Sequence, residues 1–462
     1  TEFLPVLGYS RSSEMRDKHK RKKFGLPPRP RMAKVDDLKA RQNCYIDIDG
    51  VWIRFECTIS TSADQIPIAP GRLVKEWTEN NRRFAHYKVE GKMMNFYSFL
   101  SSKYEVRRDK WNNVDLEVFY DKQHPYNIEK MIGSMKMSLD YYTKNFTPYS
   151  YSNLRIVEFP RYDVFAQSFP TTIPYSEAIG FIANLTDEEN IDYTWYVTAH
   201  EIAHQWWAEQ VIGANVQGAT MLSEAFAQYS ALMVMEKKYG KEKMRKFLKY
   251  ELDKYLLGRR REFEKETPLY LVENQSYIHY NKGSIVMYAL RDYIGEDSLN
   301  HALARFAKDK AYQNAPFTNT LEFLTYLRPV VADSLKYLIT DLFETITVFS
   351  NQAKEVEYTQ LENGKYKVKI TVESVKFRAD SLGKETEIPV NDYIDIGVFG
   401  KEKKNGKKVE KILYLQKHKI DAKKKEFEII VDSEPTEAGI DPFNKLIDRI
   451  SDDNRKTATK KK

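Results

Sequence analysis

The stretch DYTWYVTAHEIAHQWW, residues 192–207, constrains the fold more than any other part of the chain. It holds no glycine or proline, so nothing in it breaks a helix, and its apolar residues recur at helical spacing. On a helix, His200 and His204 lie one turn apart on one face, where both imidazoles reach a single ion. Glu201 sits beside that face and can accept a proton from water activated there. The bland alternative is a helix whose histidines are hydrogen-bonded core residues. What surrounds the motif must decide.

A zinc site of this kind needs a third protein ligand and an open position. The next helical stretch opens with SEAFAQY, and Glu224 is its first carboxylate. The gap, 224 − 204 = 20, lets one helix end near VIGANVQG and another return antiparallel. Glu209 is nearer in sequence, but it lies about 7 Å farther along the first helix and is the poorer ligand. A helix-terminal carboxylate stabilised by the macrodipole is the bland reading of Glu224.

HEIAHQWW, a glutamate on the following helix, and YNKGSIVM (280–287) together resemble the zinc aminopeptidases of the aminopeptidase N (gluzincin) family. The resemblance covers about residues 45–345 and, more weakly, the strands beyond. It implies a thermolysin-like catalytic domain with one Zn2+ per chain, held by His200, His204 and Glu224. It also implies Glu201 as general base and Tyr280 as hydrogen-bond donor to the oxyanion. Two departures stand out. The spacing to Glu224 is one residue longer than the family pattern, and the family's GxMEN loop is absent. Its nearest counterpart is IPYSEAIGF (173–181), so Glu177 is the candidate anchor for a substrate's α-amino group. The overall set is most similar to peptidase domains fused to bacterial ABC-type permeases. A soluble, membrane-associated domain, on the extracytoplasmic side, would follow from that, as would an excised fragment beginning at Thr1.

Around the helical centre the period changes twice. Residues 1–40 are polar and proline-bearing, and read as an extended arm. Residues 41–120 alternate, starting with YIDIDGVWIRFECTIST, a hairpin with an Asp-Gly turn. Residues 121–349 are mostly helical after a short strand at LRIVEF. Residues 350–445 alternate again in short runs and suggest a β-sandwich. Residues 446–462 form a polar tail expected to fray. The reading is an α+β, multidomain chain.

Composition excludes several classes. No run of about 18 apolar residues exists, so no sequence segment reads as a membrane-spanning helix. The net charge of +7 in 462 residues is modest, and its basic runs at 16–23 and 401–408 carry no interleaved aromatics. We therefore expect a peptide substrate and no nucleic acid. Two cysteines, Cys44 and Cys57, could pair across a hairpin but make no disulfide framework. Trp206 and Trp207 read as packing behind the motif helix, Gln205 as structural, and His279 as a candidate support for the site. His19, His86, His124, His301 and His418 have no partner legible in sequence. Two further readings stay open: a peptidase not restricted to free amino termini, and a peptide-binding scaffold of a transport system with an idle or structural metal.

Overall fold

The computed structural model describes residues 14–15, 17–46, 50–186, 190–404 and 406–461. It is a mixed α+β chain with several sheets. Three antiparallel strands come first: β1 (Glu56–Ser62), β2 (Arg72–Glu79) and β3 (Arg82–Lys88), in the order β1-β3-β2. The hairpin expected at 45–61 is not what forms. Asp49 of its turn lies outside the described residues, Cys44 bridges to Ala214, and Trp52–Ile53 pair with Met93–Met94. The two cysteines accordingly sit in different clusters and form no disulfide. Cys44 packs with Met94 and Ile212, and Cys57 against Phe55 and Tyr87.

The next strands are β4 (Glu105–Trp111), β5 (Val114–Tyr120), β6 (Asn153–Phe159) and β7 (Thr172–Ser176). They form one sheet in the order β7-β6-β5-β4, with β5, β6 and β7 parallel. The expected boundary at residue 120 falls at the end of β5, whose Val114, Leu116 and Val118 belong to the main core. All seven residues of β6 are buried, as expected of a central parallel strand covered on both faces.

Helix α1 (Ile128–Asn145) packs on this sheet through Ile128, Met131, Ile132, Met135, Leu139 and Tyr142. Its spacing of three and four places these side chains on one stripe. Helix α2 (Tyr193–Ala203) is capped by Asp192, whose carboxylate accepts the Trp195 N–H at 3.0 Å. Then follow α3 (Phe226–Tyr239), α4 (Lys241–Arg260), α5 (Gly283–Ile294), α6 (Glu296–Lys310) and α7 (Thr320–Leu327). One continuous apolar core joins the sheet to these helices, with Trp206 and Trp207 fully buried in it.

The C-terminal strands are β8 (Ile346–Gln360), β9 (Tyr366–Ala379), β10 (Glu385–Ile388), β11 (Asp392–Lys404), β12 (Lys407–Ile420), β13 (Lys424–Val431) and β14 (Glu437–Ile440). Two sheets enclose a core of Val356, Val368, Ile370, Ile394, Ile396 and Ile440. Among the described residues, the stretch from 446 expected to fray packs back onto the sheets. Phe443, Leu446 and Ile447 are buried. Beyond them β15 (Arg455–Thr457) extends one sheet beside β14, and β16 (Thr459–Lys460) pairs with β8.

Candidate metal centre

Helix α2 places His200 and His204 so that their Nε2 atoms lie 3.0 Å apart. Glu224 approaches from the next helical segment, its Oε2 3.4 Å from His200 Nε2 and 3.3 Å from His204 Nε2. Two nitrogens and one carboxylate oxygen are the donor set zinc favours. Bonds of about 2.0–2.1 Å in a tetrahedron put ligand atoms roughly 3.3 Å apart, the separation seen here. His204 Nδ1 lies 2.9 Å from the Trp207 carbonyl, which accepts its N–H and leaves Nε2 as the lone-pair atom. Glu224 Oε2 is buried with no hydrogen-bond partner. An orphaned buried carboxylate oxygen aimed between two imidazoles fits a bound cation.

Electrostatics follow from the same crowding. Burial raises the Glu224 carboxyl, but the imidazoles of His204 and His200 outweigh it and hold the group well below the ordinary carboxylate range. Burial pushes the Glu201 carboxyl up, the two imidazoles and the Ser168 N–H acting the other way. Tyr280 is raised by burial and by the charges of Glu224 and Glu201. Its ring centre stands 5.9 Å from that of His200.

Both Glu224 and Tyr280 sit in π-turns, Met221–Ala225 and Tyr277–Lys282, each running into an α-helix. A π-turn adds one residue to a helical turn, and such turns recur at functional sites. The extra residue before Glu224, expected to be taken up by the glycine-bearing loop, has this turn available to absorb it. His279 is buried beside Tyr280 and its Nδ1 lies 3.0 Å from Thr220 Oγ1, which ties the Tyr280 turn to the residue preceding the Glu224 turn.

Glu177 is not brought to this group. It follows β7 at the carboxyl end of the parallel strands, where His124, Glu158 and Glu177 gather around a cavity of about 390 Å3. His124 Nδ1 is 2.5 Å from Glu158 and 3.8 Å from Glu177, so His124 has partners the sequence did not reveal. The segment that does lie against the motif helix is Ser168–Thr171. Gln205 Nε2 donates to Ser168 Oγ at 2.7 Å and to the Phe169 carbonyl at 2.8 Å, and Gln205 Oε1 accepts the Thr171 N–H at 3.0 Å. A neutral stretch, Gln167–Ser168, thus borders the motif helix, while Glu177 stands with His124 and Glu158. Tyr45, also missed, donates to Ser223 Oγ at 2.9 Å and feels the Glu224 charge. Strand alternation in QSF and the single Tyr45 offered no signal for either.

Two histidines and a glutamate converging on one point, with a second glutamate and a tyrosine facing them, define a candidate metallohydrolase centre. Comparison with known proteins narrows the class. Residues 126–343 match the Peptidase family M1 domain. Endoplasmic reticulum aminopeptidase 2 from Homo sapiens is 28% identical over 192 residues, 40% of this chain and 20% of that protein. Leucyl aminopeptidase from Saccharolobus solfataricus is 22% identical over 359 residues, 71% of this chain and 44% of that protein. Tricorn protease-interacting factor F2 from Thermoplasma volcanium is 22% identical over 255 residues, 52% and 32% of the two chains. The chain spans less than half the length of each of these relatives. Together they support a peptidase of the M1 type.

Proposed function

We propose that the chain carries the catalytic centre of a zinc metallopeptidase that cleaves peptides at their amino end. The observation that carries this reading is the convergence of His200, His204 and Glu224 next to Glu201. His200, His204 and Glu224 would hold the ion, which when bound polarises a carbonyl and activates water. Glu201 takes the proton from the attacking water and delivers it to the departing nitrogen as the C–N bond breaks. Tyr280 donates a hydrogen bond to the oxyanion, an interaction that strengthens as charge develops. Ser168 N–H, facing Glu201, orients that carboxylate.

The aminopeptidase relatives support cleavage at a free amino terminus. One observation favours a second reading, a peptidase not restricted to free termini: Glu177 turns to His124 and Glu158, and Gln167–Ser168 border the site instead. A panel of peptides with free and with acetylated amino termini separates the two. Cleavage of free peptides alone is expected, and equal cleavage of both would establish the second reading. Zinc bound without hydrolysis of any peptide would leave a scaffold. Attachment to a membrane permease is a further part of the proposal and rests on sequence resemblance. No helix among the described residues is long and apolar enough to cross a membrane.

A further inference from the structure

Behind the candidate centre, one buried carboxylate touches the metal helix and the Tyr280 turn, and reaches the Glu224 helix through Tyr196. Glu251, on α4, is only 2% exposed. Its Oε2 accepts the side-chain N–H of Asn281 at 2.6 Å, and its Oε1 lies 3.2 Å from the Tyr196 hydroxyl. Tyr196 belongs to α2, one turn before His200. The same hydroxyl lies 2.8 Å from Gln228 Oε1, on α3 one turn beyond Glu224. Asn281 directly follows Tyr280. A second strand of this network runs through Ser284, whose hydroxyl donates to the Tyr280 carbonyl at 2.7 Å and stands beside Tyr196.

None of these partners is a candidate metal ligand, and none is explained by apolar packing. Burying a carboxylate is costly unless it is hydrogen-bonded. Here the bonds run directly to α2 and to the Tyr280 turn, and through the Tyr196 hydroxyl to α3, rather than to neighbours on α4, so the group is worth burying for what it joins. We propose that Glu251 is a positioning residue that fixes the metal helix, the Glu224 helix and the Tyr280 turn in register with one another. This rests on the peptidase reading of the site.

The proton count gives the network a direction. Tyr196 has one hydroxyl proton, and Gln228 Oε1 and an ionised Glu251 both need it. If Glu251 carries its own proton, Glu251 donates to Tyr196, Tyr196 donates to Gln228, and every contact is satisfied. If Glu251 is ionised, one of the two contacts goes unmade. Burial pushes the Glu251 carboxyl up to about 7, with Asn281, Tyr196 and the Lys254 charge pulling it down. The other titratable groups facing it are Tyr193 and Tyr196 of α2, while α3 and the Tyr280 turn present the neutral Gln228 and Asn281.

The test uses the zinc-loaded protein and Glu251→Gln, Glu251→Leu, Tyr196→Phe and Asn281→Ala. Glutamine reproduces the protonated acid at every pH. We expect Glu251→Gln to match wild type in kcat at pH 6 and to exceed it progressively toward pH 8. Glu251→Leu should lose about tenfold or more in kcat, with zinc stoichiometry unchanged. Should the leucine variant fail to fold, Tyr196→Phe and Asn281→Ala must each lower kcat without altering zinc content. A kcat ratio of Glu251→Gln to wild type that is independent of pH, or loss of thermal stability alone across the variants, would overturn the proposal. A wild-type protein that binds zinc and cleaves no peptide would instead overturn the peptidase reading.

Discussion

A β-carbon added to Gly283 would lie 2.6 Å from the β-carbon of Ala225 and 3.2 Å from its Cα. Gly283 follows the turn that bears Tyr280, and Ala225 follows Glu224, so the absence of one side chain lets the two π-turns meet. Gly283→Ala forces those turns apart. Overpacking of this kind costs about 1–3 kcal/mol, and alanine's better helix propensity returns only part of it. We expect a lower melting temperature together with a fall in kcat of about tenfold, because Tyr280 shifts relative to Glu224. Unchanged kcat in a folded variant would show that the contact is not what sets the Tyr280 position.

Glu201→Gln removes the base while leaving the three candidate ligands in place. Turnover should drop by about 10^2–10^4-fold or more, with one zinc still bound per chain by elemental analysis. Tyr280→Phe should act on the oxyanion instead, lowering kcat by about 10^2–10^3-fold with the metal retained. If either variant kept wild-type turnover, its assigned role would fall.

Glu224→Gln tests the ligand set itself. The amide keeps the shape but loses the charge that two imidazoles and a cation require, so zinc affinity should fall by about 10-fold or more in chelator competition. Zinc held as tightly as in wild type would assign the third ligand elsewhere.

Most of the centre was legible because its parts are local. His200, Glu201 and His204 share one helix and Glu224 opens the next, so spacing and residue type point to them, whereas Tyr280 comes only from the resemblance carried by YNKG. The neighbours of Glu177 were not legible, because they depend on β5, β6 and β7 lining up in parallel, a long-range pairing with no local signature. The same pairing gives His124 its carboxylate neighbours and brings Ser168 to Gln205. The tail looks polar in sequence because its later residues serve as sheet edges, while Leu446 and Ile447 at its start, with Phe443 before them, supply the burial.

Gln205 should prove essential to the site's edge. It is fully buried and satisfies Ser168, the Phe169 carbonyl and the Thr171 N–H at once. Gln205→Leu leaves the Thr171 N–H and the Ser168 hydroxyl without this partner, at about 1–3 kcal/mol each, while the Phe169 carbonyl keeps the Thr172 N–H. Denaturant unfolding should show that loss, and amide exchange should quicken at 168–172 ahead of the rest of the sheet. Exchange there no faster than in wild type would mean the segment is held by other contacts.

The docking of the sandwich against the helices depends on Asp292 of α5. Its carboxylate pairs with Lys417 and with Lys445, the latter at 2.5 Å. Burial opposes ionisation, but the two ammonium groups prevail and bring Asp292 from 3.8 down to about 2. A carboxyl depressed in the folded state stabilises the fold above its unfolded value and loses that contribution as pH falls through its folded value. The window is therefore about pH 4 down to pH 2, and the shift corresponds to roughly 2 kcal/mol. Asp292→Asn should lower stability by about that amount at pH 7, where the lysines are left with less charge to meet. The difference from wild type should shrink as pH falls from 4 to 2, because wild-type Asp292 becomes neutral too. Thermal unfolding of both proteins across pH 2–7 reads this directly, and a gap that stays constant to pH 2 would exclude Asp292 as the acid-sensitive link.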